Sequence, residues 1–157
     1  MAEQPDEEDF QAAFWNAKRA LMEAHEAAFG RHGVRAGQQH ILRVLWKEDC
    51  LTPGEIARRL DLTTATISKM TSRMQATGLV ERRPHATDGR LVRVCLTERG
   101  RALEGAIGEE MRRVTERALA TLGPRQRQQL VRSLTEVRRN LEAAAAAAQR
   151  EKQLVAG

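Results

Sequence analysis

Between Thr52 and Gly78 the sequence marks both ends of two consecutive helices, and few folds accept such a pair. Thr52-Pro53-Gly54-Glu55 supplies a capping hydroxyl, a proline for the first helical position and a glutamate placed to return the cap. This predicts a short helix ending near Leu60, with Ile56, Ala57 and Leu60 turned inward. Asp61-Leu62 leaves room only for a tight turn, and Thr63 caps a second helix reaching about Thr77, which Gly78 stops. On that second helix Ile67, Met70, Thr71 and Met74 share the inward face. Thr64, Thr66, Ser68, Lys69, Ser72 and Arg73 point outward.

A short helix, a tight turn and a helix with a polar outer face make a helix-turn-helix. Two strands follow, Leu79–Arg83 and Leu91–Leu96, joined through Pro84–Arg90, where Asp88-Gly89 marks a tight turn. The hairpin has a basic tip. Upstream, Phe10, Phe14, Ala17, Leu21, Ala24 and Ala28 form the apolar stripe of a helix from about Phe10 to Phe29. A second helix, Gln38–Glu48, buries Ile41, Leu42, Val44 and Leu45. Downstream, Thr97 caps the first of two long helices. Leu103, Ile107, Met111, Val114, Ala118 and Leu122 mark one; Leu130, Leu134, Val137 and Leu141 mark the next, beyond the Gly123-Pro124 break. At roughly 20 residues each, they would extend about 30 Å. The expected fold is mostly α with a small β-hairpin wing: a winged helix-turn-helix with N- and C-terminal dimerisation helices.

This reading divides the chain into an acidic flexible N-terminus, 1–9, dimerisation helices, 10–34 and 101–150, a winged helix-turn-helix, 35–100, and a tail, 151–157. The long helices and the first helix carry more apolar stripe than one small winged domain can cover, which marks an association surface. A twofold dimer sets two recognition helices one DNA turn apart, about 34 Å, and so reads a pseudo-palindromic operator. The alanines 143–148 suit either close helix packing or a fraying tail.

Residues 52–101 hold ten basic side chains against five acidic ones, in a chain whose net charge is +5. Such a section suits a polyanion, because Lys and Arg gain by releasing counterions condensed on phosphate. The aromatic residues Phe10, Phe14, Trp15, Phe29 and Trp46 all precede it. Single strands need exposed aromatics to stack on, so double-stranded DNA is the expected partner. The longest run without a polar side chain, alanines 143–148, is far short of the roughly 20 apolar residues of a membrane span. An acidic N-terminus without a basic leader region, together with two cysteines, points to a cytoplasmic protein. No nucleophile elbow, phosphate loop, catalytic carboxylate pair or metal-ligand spacing is present, so neither an enzyme nor a cofactor is expected.

The run Asp88-Gly89-Arg90-Leu91-Val92-Arg93-Val94-Cys95-Leu96-Thr97-Glu98-Arg99-Gly100 resembles the wing signature of the MarR (multiple antibiotic resistance regulator) family. Gly78-Leu79-Val80-Glu81-Arg82 and Leu51-Thr52-Pro53-Gly54-Glu55-Ile56-Ala57 also match. The resemblance implies an obligate homodimer and a transcriptional repressor released by a small phenolic or aromatic acid-like ligand or by oxidation. It further implies an ion pair between Asp88 and Arg90, with Arg90 reaching DNA. Asp61 departs from the pattern, since such turns often carry glycine. The alternative reading is a winged protein-interaction module, which a weak salt dependence of DNA binding would reveal.

The candidate DNA-binding residues are Thr64, Thr66, Ser68, Lys69, Ser72 and Arg73 on the recognition helix, with Arg82, Arg83, His85, Asp88 and Arg90 on the hairpin. Trp15, Met22, His40, Arg43 and Trp46 are candidates for a ligand cleft, where Arg43 suits a carboxylate or phenolate. Cys50 and Cys95 lie outside any CxxC pair and read as structural thiols. His25, His32, His40 and His85 match no compact metal spacing and read as surface or core residues.

Overall fold

The computed structural model describes residues 7–155. They form α1 (Glu7–Gly30), α2 (Gln38–Lys47), α3 (Pro53–Leu60), α4 (Thr64–Ala76), β1 (Val80–Pro84), β2 (Val92–Leu96), α5 (Glu98–Ala102), α6 (Glu104–Ala118) and α7 (Pro124–Val155). The chain divides into two compact units, one ending at Ala118 and one beginning at Leu119.

In the first unit the capping signals act as the sequence predicts. Thr52 Oγ1 accepts from the Glu55 amide at 3.3 Å, and the Glu55 carboxylate accepts from the Thr52 amide at 2.7 Å. Each satisfies a group that the first helical turn leaves unpaired. Thr63 caps α4 by accepting from Thr66 N at 3.2 Å. The turn between them is closed by Asp61, which itself adopts the left-handed conformation at φ 53°. A short polar side chain tolerates that geometry better than most, so the missing glycine leaves the turn intact. Gly78, at φ 71°, ends α4 and lets Leu79 N reach Met74 O at 2.9 Å.

Strands β1 and β2 pair antiparallel, from Val80 opposite Leu96 to Pro84 opposite Val92. Leu51 adds a third rung: its N–H reaches Val94 O at 3.2 Å and its carbonyl accepts from Val94 N at 2.7 Å. The core lies beneath this sheet and between α2, α3 and α4. Phe29, Ile41, Leu42, Ile56, Ile67, Met74 and Leu79 are wholly buried there, and α6 closes it with Ile107 and Val114. Each such side chain contributes about 1.5–3 kcal/mol on leaving water.

Four boundaries differ from the sequence reading. The wing strands stop short of the tip, where His85 N meets Leu91 O at 3.0 Å, and inside that loop Asp88-Gly89 opens the expected tight turn, with Leu91 N on Asp88 O at 3.0 Å. The helix after Thr97 is divided into α5 and α6 at Leu103, which keeps near-helical backbone angles. Of the N-terminal stretch 1–9, Glu7–Asp9 begin α1, and residues 1–6 lie outside the described residues. The tail 151–157 is helical through Val155, and its last two positions lie outside the described residues.

The second unit is built on α7, whose 32 residues extend about 48 Å and run straight through the alanines 143–148. Pro124 occupies its first position, and Gln126 accepts from Gly123 N at 2.8 Å. Leu130, Val131, Leu134 and Leu141 stand exposed on it.

Candidate nucleic-acid interface

Helix α4 turns Ile67, Thr71 and Met74 into the core, which leaves Thr64, Thr66, Lys69, Ser72 and Arg73 on the outside and Ser68 half-buried. Some of these polar groups are already engaged. Thr66 Oγ1 lies 2.8 Å from Thr63 Oγ1 in the cap. Ser72 Oγ donates to Ser68 O at 2.8 Å and accepts from Arg82 Nη2 at 2.8 Å. Among the described residues, the side chains of Thr64, Lys69 and Arg73 have no hydrogen-bond or ion-pair partner.

The wing divides the same way. Arg82 also donates to Ser68 O at 3.3 Å, so it ties strand β1 to α4. Arg83 pairs with Glu81. His85 Nδ1 accepts from the amides of Thr87 and Asp88 at 3.4 and 3.3 Å, which shapes the tip. The Asp88 carboxylate accepts the Arg90 amide at 3.0 Å. That contact replaces the side-chain ion pair implied by the resemblance, and the Arg90 guanidinium faces solvent. The Asp88 carboxylate is turned back onto the backbone of its own tight turn. Of the eleven candidates, Thr64, Lys69, Arg73 and Arg90 present unspent donors, and the other seven mainly set the surface that carries them.

Sequence reasoning missed what fixes this surface from behind. Asp49 Oδ1 accepts from Cys50 N at 2.7 Å and Leu96 N at 2.8 Å, and Oδ2 accepts from Arg101 at 2.7 Å. Partial burial pushes the Asp49 carboxyl upward, but the Leu96 and Arg101 hydrogen bonds outweigh it and hold it below the usual aspartate range. Arg93 donates to Cys50 O at 2.6 Å, and Arg99 spans Thr77 O and His32 O. Trp46 Nε1 donates to Gly100 O at 2.9 Å. Cys50 and Cys95, expected as separate thiols, are joined in a disulfide because Leu51 and Val94 set them side by side. Arg93, Arg99 and Arg101 counted toward the basic charge of this section, yet they serve its internal framework.

The five candidate ligand residues are not brought together. Arg43 and Trp46 line a cavity of about 460 Å³ with Lys47, Met111, Arg112 and Glu116. Met22 lines a separate groove with Met70 and Arg73. Trp15 is 63% exposed beneath Lys18, and its place on α1 is about 21 Å from Phe29, where that helix enters the core. His40 lies on the outer side of α2 against Gln39. Burial and then the Arg43 charge push its pKa down, so its ring is neutral at pH 7.

The family model described as MarR family matches residues 35–92. The HTH-type transcriptional regulator TtmR of Methylorubrum extorquens is 34% identical over 93 residues, which cover 59% of this chain and 48% of TtmR. The chain thus spans about half the length of that curated relative. Among solved structures, a mutant MarR from Escherichia coli complexed with operator DNA aligns with a TM-score of 0.73 at 21% identity, over 81% of this chain and 91% of that one. The organohalide-sensing RdhR regulator in its 2,4-dichlorophenol-bound form aligns with a TM-score of 0.77 at 21% identity, over 89% and 88%. At these identities the structural likeness is one of fold. The family pattern thus falls on α2, α3, α4 and the wing, and over these elements the chain is similar to MarR-family transcriptional regulators.

Proposed function

We propose that this chain is a homodimeric regulator that binds double-stranded DNA sequence-specifically and represses transcription in the cytoplasm. In this reading, a small phenolic or aromatic acid-like ligand modulates its affinity for a pseudo-palindromic operator. The observation that carries the reading is the unspent row Thr64, Lys69 and Arg73 on α4, held in fixed relation to the wing by Arg82. Small hydroxyls at the start of a recognition helix approach base edges, and cations one turn apart reach the same groove. Arg90 on the wing suits the neighbouring backbone or minor groove. The operator-bound MarR structure of the same fold supports this use of the surface.

Two copies are proposed because large apolar side chains stand in water on both units. Phe10, Phe14 and Leu21 do so on α1, and Leu130, Leu134 and Leu141 on α7. For the ligand, the cavity at Arg43 and Trp46 offers a cation beside an apolar wall, and RdhR holds a chlorophenol. A ligand changes operator affinity only through its unequal binding to DNA-competent and DNA-incompetent wing spacings.

The test is a gel-shift titration against the intergenic DNA beside the chain's own gene, at two salt concentrations. Tight binding to one pseudo-palindromic site is expected, with log K falling by about 0.9 per neutralised phosphate per decade of salt. Weak binding, equal for any DNA, overturns the reading in favour of the protein-interaction module. In the same assay benzoate or 2,4-dichlorophenol should shift the midpoint, and Arg43→Ala should remove the benzoate response.

A further inference from the structure

We propose that Cys50 and Cys95 form a reversible thiol–disulfide site, opened by dithiols and closed by hydroperoxides, that fastens the wing to the segment between α2 and α3. The proposal goes beyond the DNA-binding reading and does not depend on it. It starts from the backbone. Leu51 and Val94 exchange both of their amide hydrogen bonds, so residues 50 and 95 fall opposite each other at the next rung. Such a rung, between hydrogen-bonded pairs, brings Cα atoms closest in an antiparallel ladder, and here they are 4.0 Å apart. The pairing of the two sulfurs is therefore set by the sheet and not by a loop closing by chance.

Cys50 sits at φ 60°, a left-handed conformation that its β-carbon disfavours. Three restraints hold it there: the Asp49 carboxylate on its amide, Arg93 on its carbonyl, and the bond to Cys95. Opening the disulfide removes one restraint and leaves a residue that gains by relaxing out of the left-handed region. Among the described residues, the rung it adjoins is the one backbone tie of Leu51 to β2. The bond also closes the chain over a separation of 45 residues that holds α3, α4 and β1, so the whole helix-turn-helix lies inside the ring.

Access gives the chemistry its order. Cys95 is fully buried, whereas Cys50 is half-buried and is the sulfur a reagent can reach. A dithiol's thiolate attacks Cys50 Sγ and forms a mixed disulfide. The electron pair of the broken bond goes to Cys95 Sγ, which takes up a proton, and the second thiol then displaces Cys50 as the reagent becomes a cyclic disulfide. For closure, the Cys50 thiolate attacks the terminal oxygen of a hydroperoxide, giving a sulfenic acid and an alcohol. Cys95 then attacks the Cys50 sulfur and water leaves. The balance is two thiols and one hydroperoxide to one disulfide, one alcohol and one water. Arg93, bonded to the Cys50 carbonyl, supplies a cation that favours the attacking thiolate. Asp49 is the third candidate metal donor within 4.8 Å of the sulfurs, but its oxygens are taken by Cys50, Leu96 and Arg101. The pair is thus left to sulfur chemistry.

The experiment uses the whole chain, folded, after dithiothreitol treatment and removal of the reductant. Stoichiometric tert-butyl hydroperoxide should lower the mass by about 2 Da within a single chain, block Cys50 from maleimide in the folded protein and block both cysteines once it is denatured, and dithiothreitol should reverse the mass change under native conditions. Amide exchange at Leu51 and Val94 should slow on closure, on the order of tenfold. The Cys50→Ser, Cys95→Ser double variant should exchange at the reduced rate with or without peroxide. The proposal is overturned by thiols that survive peroxide, by oxidation of Cys50 without pairing, or by a bond between two chains. It is equally overturned by stoichiometric retention of zinc on the reduced protein, or by exchange rates indifferent to the bond.

Discussion

Arg82 spends its guanidinium on Ser68 and Ser72, while Arg73 and Arg90 end in solvent, and this difference separates affinity from stability. Replacing Arg73 or Arg90 by Ala should weaken operator binding by about 1–3 kcal/mol where a base edge is lost, or reduce the salt slope by about one where a phosphate is lost. Neither change should move the melting temperature. Arg82→Ala should instead loosen the wing, read as faster amide exchange in β1, with operator affinity falling as a consequence. Equal affinity for all three variants and the wild type would sink the assignment of this face. Asp49 gives a second test at this scale. Asp49→Ala strands the Leu96 and Cys50 amides and should cost about 2 kcal/mol, while Asp49→Asn keeps an acceptor and should cost less. Because the folded carboxyl titrates below its ordinary 3.8, the unfolded chain takes up the proton first as pH falls. Its contribution is therefore full above that value and lost below it, so Asp49→Asn should flatten the acid limb of a plot of melting temperature against pH.

Elements were legible where their signals are local. The Thr52–Glu55 box, the Thr63 cap and the Gly78 stop each bind groups within a few residues, and each appears where the spacing placed it. The third rung at Leu51, the disulfide and the Arg93, Arg99 and Arg101 contacts join residues 43 to 67 positions apart, except for Arg99–Thr77 at 22. No spacing rule reaches across such distances, so these arginines read as surface charge. The α5–α6 division escaped for another reason: Leu103 stays near helical angles, and the apolar period continues across the break. The most exacting element-scale contact is at Gly100. A Cβ there would stand 2.2 Å from Leu79 O and 3.2 Å from Leu96 Cδ2. The Leu79 carbonyl is held by Thr97 N at 3.2 Å and Thr97 Oγ1 at 3.1 Å, so Gly100→Ala must push α5 off the hairpin and strain the Trp46 bond to the Gly100 carbonyl. A loss of about 1–3 kcal/mol is expected in denaturant unfolding, against a near-neutral Gly105→Ala, where nothing lies within 4 Å of the added carbon.

At the scale of the whole molecule, the balance of apolar surface sets the assembly. The first unit buries its core through α2, α3, α4 and α6, yet the N-terminal half of α1 leaves Phe10 at 44% and Phe14 at 43% exposure. On α7, Leu134 is 45% and Leu141 66% exposed, and the row they form lies along one side of a helix with arginines on the others. A helix of that length gains little stability from propensity alone and needs its apolar side covered. If a second copy supplies the cover, the chain of 17.6 kDa should sediment as a species of about 35 kDa, and its melting temperature should rise with concentration. Leu134→Glu then places a charge in the covered row and should shift the protein toward the monomer. The winged unit, whose core does not use Leu134, should keep its own fold. Operator binding should fall much further than for Arg73→Ala, because a monomer engages one half-site and forgoes the gain from linking two. A Leu134→Glu protein that still sediments as a dimer would remove α7 from the interface, and a wild-type monomer at micromolar concentration would remove the interface altogether.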